Sequence, residues 1–375
     1  MPDDGLNFDL NIRAEAPPKS DYGIGAIGAG FIMRDCHLLA YENAGFRRVA
    51  IASRTRSRAE EVARTRGVER VYDDWRALLG DREVEILDVA VPPDKQAAIL
   101  IDIARHRPKH LLGVLAQKPL AMNTREAAQI VQAFERAELP LGVNQNMRYD
   151  QSIRALKTLL DRGVLGEPVV ATIEMRAIPH WMPWQERLGW LTLRIMSIHH
   201  LDTFRYLFGD PERIYCSIRT DPRTQFEHTD GIPLYILDYE SGLRCQSIDD
   251  VWAGPAREGG EADIYIKWRV EGLDGMASGT IGWPRYPDHS PSTIRFSTKQ
   301  QPGYWFEPQW SEVWFPDAFE GTMAQLMTAI STGDEPAIGG RDNLRTMALV
   351  DAAYQSAAEH RAIDPAEVLA AAERI

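Results

Sequence analysis

Two glycines, and an arginine-bearing turn about 20 residues beyond them, carry the first chemistry the sequence offers. In Gly23 to Ile32, GIGAIGAGFI, Gly28 suits a tight turn. Gly30 lets a backbone approach a pyrophosphate, whose charge would rest on the N–H groups and positive dipole end of the helix that Phe31 and Ile32 open. The third small position of this fingerprint is Met33, so the match is imperfect. Downstream, Ser53-Arg54-Thr55-Arg56 stands where an NAD-selective site has Asp or Glu. Ser followed by Arg suits a 2′-phosphate held by charge-assisted hydrogen bonds, with Arg58 close by. The pattern predicts a dinucleotide site with NADP preferred over NAD; the same arginines also suit an ordinary solvated helix start.

Such a site needs alternating strands and helices to hold it. A polar arm, residues 1–20, precedes a strand over Tyr22 to Gly28 and is expected to be ordered against a partner subunit. The periodicity predicts a helix from Phe31 to Ala44, a strand over Arg47 to Ala52 and a buried strand from Glu83 to Val91, stopped by Pro92 and Pro93. A helix from Asp94 to His106, a strand over His110 to Gln117, a helix capped by Asn123 with Glu126, and a strand over Leu141 to Asn146 follow. This alternation predicts an α/β, doubly wound parallel sheet over residues 21–147. Ligands of such sheets sit at the carboxyl ends of the strands, where Gly30, Ser53, Val91, Pro92, Lys118 and Asn146 fall.

Over residues 148–375 the pattern changes. A helix from Ser152 to Arg162, a strand from Pro168 to Ile178 and an aromatic loop, PHWMPWQERLGW, lead to a helix over Leu191 to Phe208. Strands then dominate: Arg213 to Arg219, Ile232 to Glu240, Gly242 to Val251, Ile264 to Val270, Gly275 to Gly282 and Thr293 to Thr298. Helices near Ala318 to Ser331 and Arg341 to Arg361 finish the chain. The expectation is an α+β second domain rich in antiparallel strands.

At 375 residues the chain is long enough for two cores. A formal charge of -12, with no block of Lys or Arg, argues against nucleic acid or a membrane surface as the main partner and favours small molecules. Cys36, Cys216 and Cys245 fall in no paired metal spacing, so neither a metal centre nor a disulfide framework is expected. The charged N-terminal stretch lacks the apolar core of a signal peptide, and no run of 18 apolar residues occurs, which makes cytoplasmic the expected location.

Taken in order, GAIGAGFI, ASRT, VPPDKQ, AQKPLA, NQNMRYD and IHHLDTFRYLFGDP resemble the Gfo/Idh/MocA family of NAD(P)-dependent oxidoreductases, which act mostly on sugars and cyclitols. The likeness runs over nearly the whole chain. It implies a Rossmann domain followed by an α+β domain with a large, mostly antiparallel open sheet that binds substrate and often packs on that of another subunit, hence a homodimer or homotetramer, with a late helix packing back on the Rossmann domain. The family's Glu-Lys-Pro segment is Gln117-Lys118-Pro119 here. Its lysine would lie between nicotinamide and substrate, where an ammonium stabilises the developing alkoxide. The family's helix motif, Asp-x-x-x-His-x-x-Asp, maps onto Ile195, His199 and Asp202, so the first carboxylate is missing and His199 would act alone, lean on Asp202 or cede the proton to Lys118. His200 beside it leaves the histidine assignment open. The family's histidine after Pro-Pro is Gln96.

The resemblance thus implies a catalytic set of Lys118, His199 and Asp202. Gln96, Gln117, Lys118 and Asn146 join the fingerprint residues around the cofactor. Arg148, Arg176, His180 and Trp181, with Trp184 nearby, would meet a sugar or cyclitol together with Lys118, His199 and Asp202, since aromatic faces suit C–H faces and Arg or His bonds hydroxyls. Tryptophans in that loop equally suit a subunit interface. The expected activity is hydride transfer between NAD(P) and a secondary hydroxyl or carbonyl. The competing expectations are a cofactor-binding sensor without turnover and an oxidoreductase with permanently bound NADP.

Overall fold

The computed structural model describes residues 9–177, 182–251, 264–282 and 288–374. Short apolar segments form the first sheet: β1 (Ile24–Ile27), β2 (Arg48–Ala52), β3 (Arg70–Tyr72), β4 (Ile86–Val89), β5 (Gly113–Ala116) and β6 (Leu141–Val143). Their order is β3-β2-β1-β4-β5-β6, and every pairing is parallel. β1, β4, β5 and β6 are buried along their whole length, as a sheet covered on both faces requires. The connecting helices are α1 (Leu38–Asn43), α2 (Arg56–Arg66), α3 (Trp75–Leu79), α4 (Pro93–Arg105) and α5 (Thr124–Arg136). The predicted strands at 83–91 and 110–117 shorten to the four-residue cores of β4 and β5; flanking apolar residues such as Val84 and Leu111 are buried outside the ladders. β3 and α3 lack a sequence signal strong enough to predict them.

The second sheet combines β7 (Pro168–Arg176), β8 (Arg213–Arg219), β9 (Ile232–Asp238), β10 (Arg244–Asp250), β11 (Tyr265–Gly272), β12 (Gly275–Thr280) and β13 (Thr293–Thr298) in the order β13-β12-β11-β7-β10-β9-β8. Only β7 with β10 is parallel; the remaining pairs are antiparallel. Buried and exposed residues alternate along β8, β9 and β11, so one face is covered and the other open. The helices outside the first sheet are α6 (Gln151–Asp161), α7 (Pro183–Leu188), α8 (Ile198–Phe208), α9 (Ala318–Thr332), α10 (Gly340–Glu359) and α11 (Pro365–Glu373). α7 occupies part of the stretch expected to be loop, started by Pro183 and stopped by Gly189 at φ 65°.

Two features tie the halves of the chain together. α9 packs on the first sheet: Phe319, Met323, Leu326 and Met327 share a buried cluster with Ile24, Ala26, Met33 and Cys36. The arm also behaves otherwise than expected. Its residues from 9 onward lie on their own chain, with Leu10 and Ile12 packed against the core. Thr158 donates to the Leu10 carbonyl (2.9 Å), Arg154 donates to that of Asn11 (2.6 Å), and Arg13 meets Glu312. Apolar contact and α6 donors thus hold residues 10–12 on their own chain.

Candidate active site

The phosphate end of the site is built from β1 and the helix after it. Gly28 has φ 113°, and a Cβ there would stand 2.2 Å from the Ala90 carbonyl oxygen, so only glycine fits. At Gly30 a Cβ would meet nothing within 4 Å. Ala29, Gly30, Phe31, Arg34, Arg58, Glu61 and Val62 line a concave pocket of about 270 Å³. This open cradle at a glycine, with two guanidinium groups on its wall, fits a dinucleotide phosphate. Met33 is fully buried, and the helix around it starts as a π-turn, Ile32–His37, in place of the predicted plain α-helix. Ser53 accepts from the Thr55 N–H (3.3 Å). Arg56 is engaged with Glu60 and Asp73, whereas Arg54 and Arg58 form no ion pair among the described residues. Val91 and Pro92 are half-buried at the end of β4, next to the Gly28 turn.

The reacting end gathers at the carboxyl end of β5. The Lys118 Nζ donates to the backbone carbonyl of Ile195, and burial brings the amine down to about 7. That carbonyl is available because residues Leu193–Ser197 form a π-turn ahead of α8, a device that loosens the helical ladder. At the position of the missing family carboxylate, it is thus the main-chain oxygen of Ile195 that meets Lys118. His199 is buried at the start of α8, edge-on to Trp314 with ring centroids 5.4 Å apart. Burial above all, then the charges of Lys118 and His200, push its imidazole well below its ordinary value. Its Nδ1 has no hydrogen-bond partner among the described residues. His200 instead turns to the second sheet, where Nδ1 meets Asp249 at 2.9 Å; Ser197 and Ser247 bond the same carboxylate. Of the two histidines, His199 is the one beside Lys118.

Several residues expected at ligands are committed elsewhere. Gln96 is buried, and its Nε2 donates to the carbonyls of Gln117 (2.7 Å), Pro119 (3.1 Å) and Leu120 (3.0 Å), so it clamps the lysine loop. Gln117 accepts from the Lys118 N–H (2.7 Å) and faces His37. Asn146 Oδ1 accepts from Trp314 Nε1 (2.9 Å). Arg148 holds Asp202 through Nε (2.6 Å) and Nη2 (2.7 Å), and also reaches Asp342 and the Ala337 carbonyl. Thr346 adds a further bond to Asp202 (2.7 Å). Asp202 is thus paired with Arg148 and has no hydrogen bond to His199 among the described residues, and both members of the pair are buried. Arg176 pairs with Glu174 at 3.2 Å; the two-residue alternation of β7 puts both on the open face, away from α8 and the lysine. His180 and Trp181 lie outside the described residues, and Trp184 is half-buried in α7.

Sequence reasoning missed His37, Asp88 and Trp314, although a lone aspartate inside the buried run EILDVAV is a usable signal, since a buried carboxylate needs partners. Among the described residues no group of His, Cys, Asp and Glu could hold a metal ion, and no helix is long and apolar enough to cross a membrane.

Comparison with known proteins gives a consistent result. A family model described as "Oxidoreductase family, NAD-binding Rossmann fold" matches residues 22–145, and one described as "GFO/IDH/MocA C-terminal domain" matches residues 153–278. A D-apiose dehydrogenase of Paraburkholderia graminis is 27% identical over 90% of this chain and 88% of its own length. An inositol 2-dehydrogenase of Rhizobium meliloti is 26% identical over 90% and 98%. Among solved structures, an oxidoreductase from Agrobacterium radiobacter in complex with NAD+, L-tartaric acid and magnesium aligns with a TM-score of 0.77 at 25% identity, over 93% of this chain and 100% of the other.

Proposed function

The chain belongs to the Gfo/Idh/MocA family of oxidoreductases with an NAD-binding Rossmann fold, and on that premise we propose that it moves hydride between NAD(P) and a CH–OH group of a sugar, cyclitol or sugar derivative. The observation that carries the reading is Lys118, an amine brought down to about 7, held by the Ile195 carbonyl and adjoining His199 at the carboxyl end of β5.

When bound, the nicotinamide supplies the hydride acceptor or donor. Gly28, Gly30, Phe31 and Ile32 cradle its pyrophosphate; Val91 and Pro92 line the strand end beside it. Ser53, Arg54 and Arg58 meet the adenosine ribose, and the two uncommitted guanidinium groups favour NADP over NAD. Lys118 exchanges the proton of the reacting hydroxyl: its neutral amine accepts the proton in oxidation, and its ammonium returns it in reduction. His199, neutral in its buried setting, hydrogen-bonds and orients the hydroxyl. Arg148 and Asp202 stabilise the base of α8 instead of touching substrate. The open sheet face, with Tyr215, Leu234 and Ile236 exposed, supports a homodimer or homotetramer formed through it.

The test is a titration of NAD and NADP by nicotinamide fluorescence, followed by reduced-nicotinamide absorbance over a panel of aldoses including D-apiose, inositols and anhydro sugars. Turnover of at least one polyol is expected, with NADP the tighter cofactor. Cofactor binding without turnover on any compound would sink the dehydrogenase reading, and tighter NAD binding would remove the role given to Arg54 and Arg58.

A further inference from the structure

Behind the lysine loop lies a buried polar cluster that the chemistry above does not use. His37 faces Asp88 of β4 through Nδ1 (2.7 Å), and through Nε2 it meets the amides of Asn144 (2.8 Å) and Gln117 (3.1 Å). Tyr41 donates to the same Asp88 oxygen (2.7 Å), and Phe319 of α9 packs on the imidazole at 5.1 Å between centroids. His37, Tyr41, Asp88 and Asn144 are wholly inaccessible.

One group that cannot be turned round assigns the hydrogens. The backbone N–H of Lys118 only donates, so the Gln117 atom it meets at 2.7 Å is the side-chain oxygen. The Gln117 NH2 therefore points at His37. An amide NH2 does not accept, so Nε2 of His37 is the acceptor and the ring proton sits on Nδ1, directed at Asp88. Asn144 likewise presents its NH2 to Nε2. The polarity of the whole cluster follows from a single main-chain donor.

We propose that His37 is a positioning residue for Lys118: fixed in one tautomer by Asp88, it orients the Gln117 amide, and the Gln117 oxygen fixes the lysine main chain from the side opposite Gln96. The proposal rests on the reading of Lys118 as the proton-exchanging amine. It gives Gln117 a specific role. A carboxylate at this position has no hydrogen to offer Nε2, so Gln117→Glu breaks the hand-off and puts a negative charge against the lysine main chain, whose amine meets the Ile195 carbonyl and adjoins His199.

The first experiment needs neither cofactor nor substrate. Selective ¹⁵N-histidine NMR of the full chain, with His37→Gln to assign the resonance, should show His37 protonated at Nδ1 and bare at Nε2 at pH 8; a proton on Nε2 overturns the relay. Gln117→Glu, which preserves volume and removes dependence on the folding of His37→Gln, carries the kinetic arm. The pH midpoint of kcat for oxidation should rise, since a buried negative charge on the residue adjoining the lysine favours its ammonium, with cofactor Kd unchanged within a factor of about three. A profile that overlays the wild type overturns the proposal. Full turnover in Lys118→Ala would remove the catalytic reading alone, since the tautomer result stands or falls separately.

Discussion

At the scale of single residues, the burial that brings the Lys118 amine down to about 7 gives the enzyme a pH signature. A lysine with a depressed value is neutral above it, so the oxidation rate should rise with pH through about 7 and carbonyl reduction should fall over the same interval. Stopped-flow rates in both directions between pH 5.5 and 9 check this; parallel profiles would exclude Lys118 as the proton carrier. Lys118→Ala should keep cofactor affinity and lose turnover by about 10²–10⁴-fold, the usual worth of a positioned acid–base group. The lysine was legible in the sequence because Gln117-Lys118-Pro119 ends a buried strand in a recognisable order. Its hydrogen-bond acceptor was not, because the Ile195 carbonyl belongs to the main chain and no side chain announces it. The register of the helix motif favoured His199 over His200, but the physical reason, the engagement of the His200 ring by Asp249 on a distant strand, was not readable from the sequence.

At the scale of elements, the helix motif proves to be two structures joined end to end. The predicted helix from Leu191 to Phe208 starts as the π-turn at Leu193–Ser197 and becomes regular only at Ile198. Spacing on an ideal helix therefore placed Ile195, His199 and Asp202 on one face, whereas Asp202 turns to Arg148, Thr346 and Arg205. This cluster anchors α8 to the short 3-10 turn Asn146–Tyr149 and to α10 through Asp342. Replacing Arg148 by Met should lower the unfolding free energy by roughly 3–5 kcal/mol, because the Asp202 carboxylate stays buried without its bidentate partner. Urea denaturation measures it, and a loss below about 1 kcal/mol would mean that the pair behaves like a surface contact. Long-range pairs of this kind join residues separated by tens to hundreds of positions, so neither periodicity nor motif spacing could reveal them.

At the scale of the whole molecule, the alternation of strands and helices made the first sheet readable, and the turns Ser241-Gly242 and Asp274-Gly275 made two hairpins of the second readable. The return of a late helix was expected from the resemblance, whereas its contacts, and the path of the arm, were set by tertiary packing. The open face of the second sheet leads to a direct measurement: sedimentation should give an assembly of at least two chains, and Leu234→Asp with Ile236→Lys should shift it toward one. An unaltered mass in that double variant would place the contact elsewhere.

The packing of α9 on the first sheet has a consequence for the birth of the protein. β1 and the helix behind it share their buried cluster with Phe319, Met323 and Met327, which leave the ribosome about 290 residues later, roughly 15–60 s at ordinary rates of synthesis. Until then the cofactor-binding half lacks the cover of α9, so the nascent chain should expose this apolar surface during synthesis. A fragment ending before residue 318 should bind a hydrophobic dye strongly where the full chain does not; a dark, soluble fragment would show that the first half closes on its own.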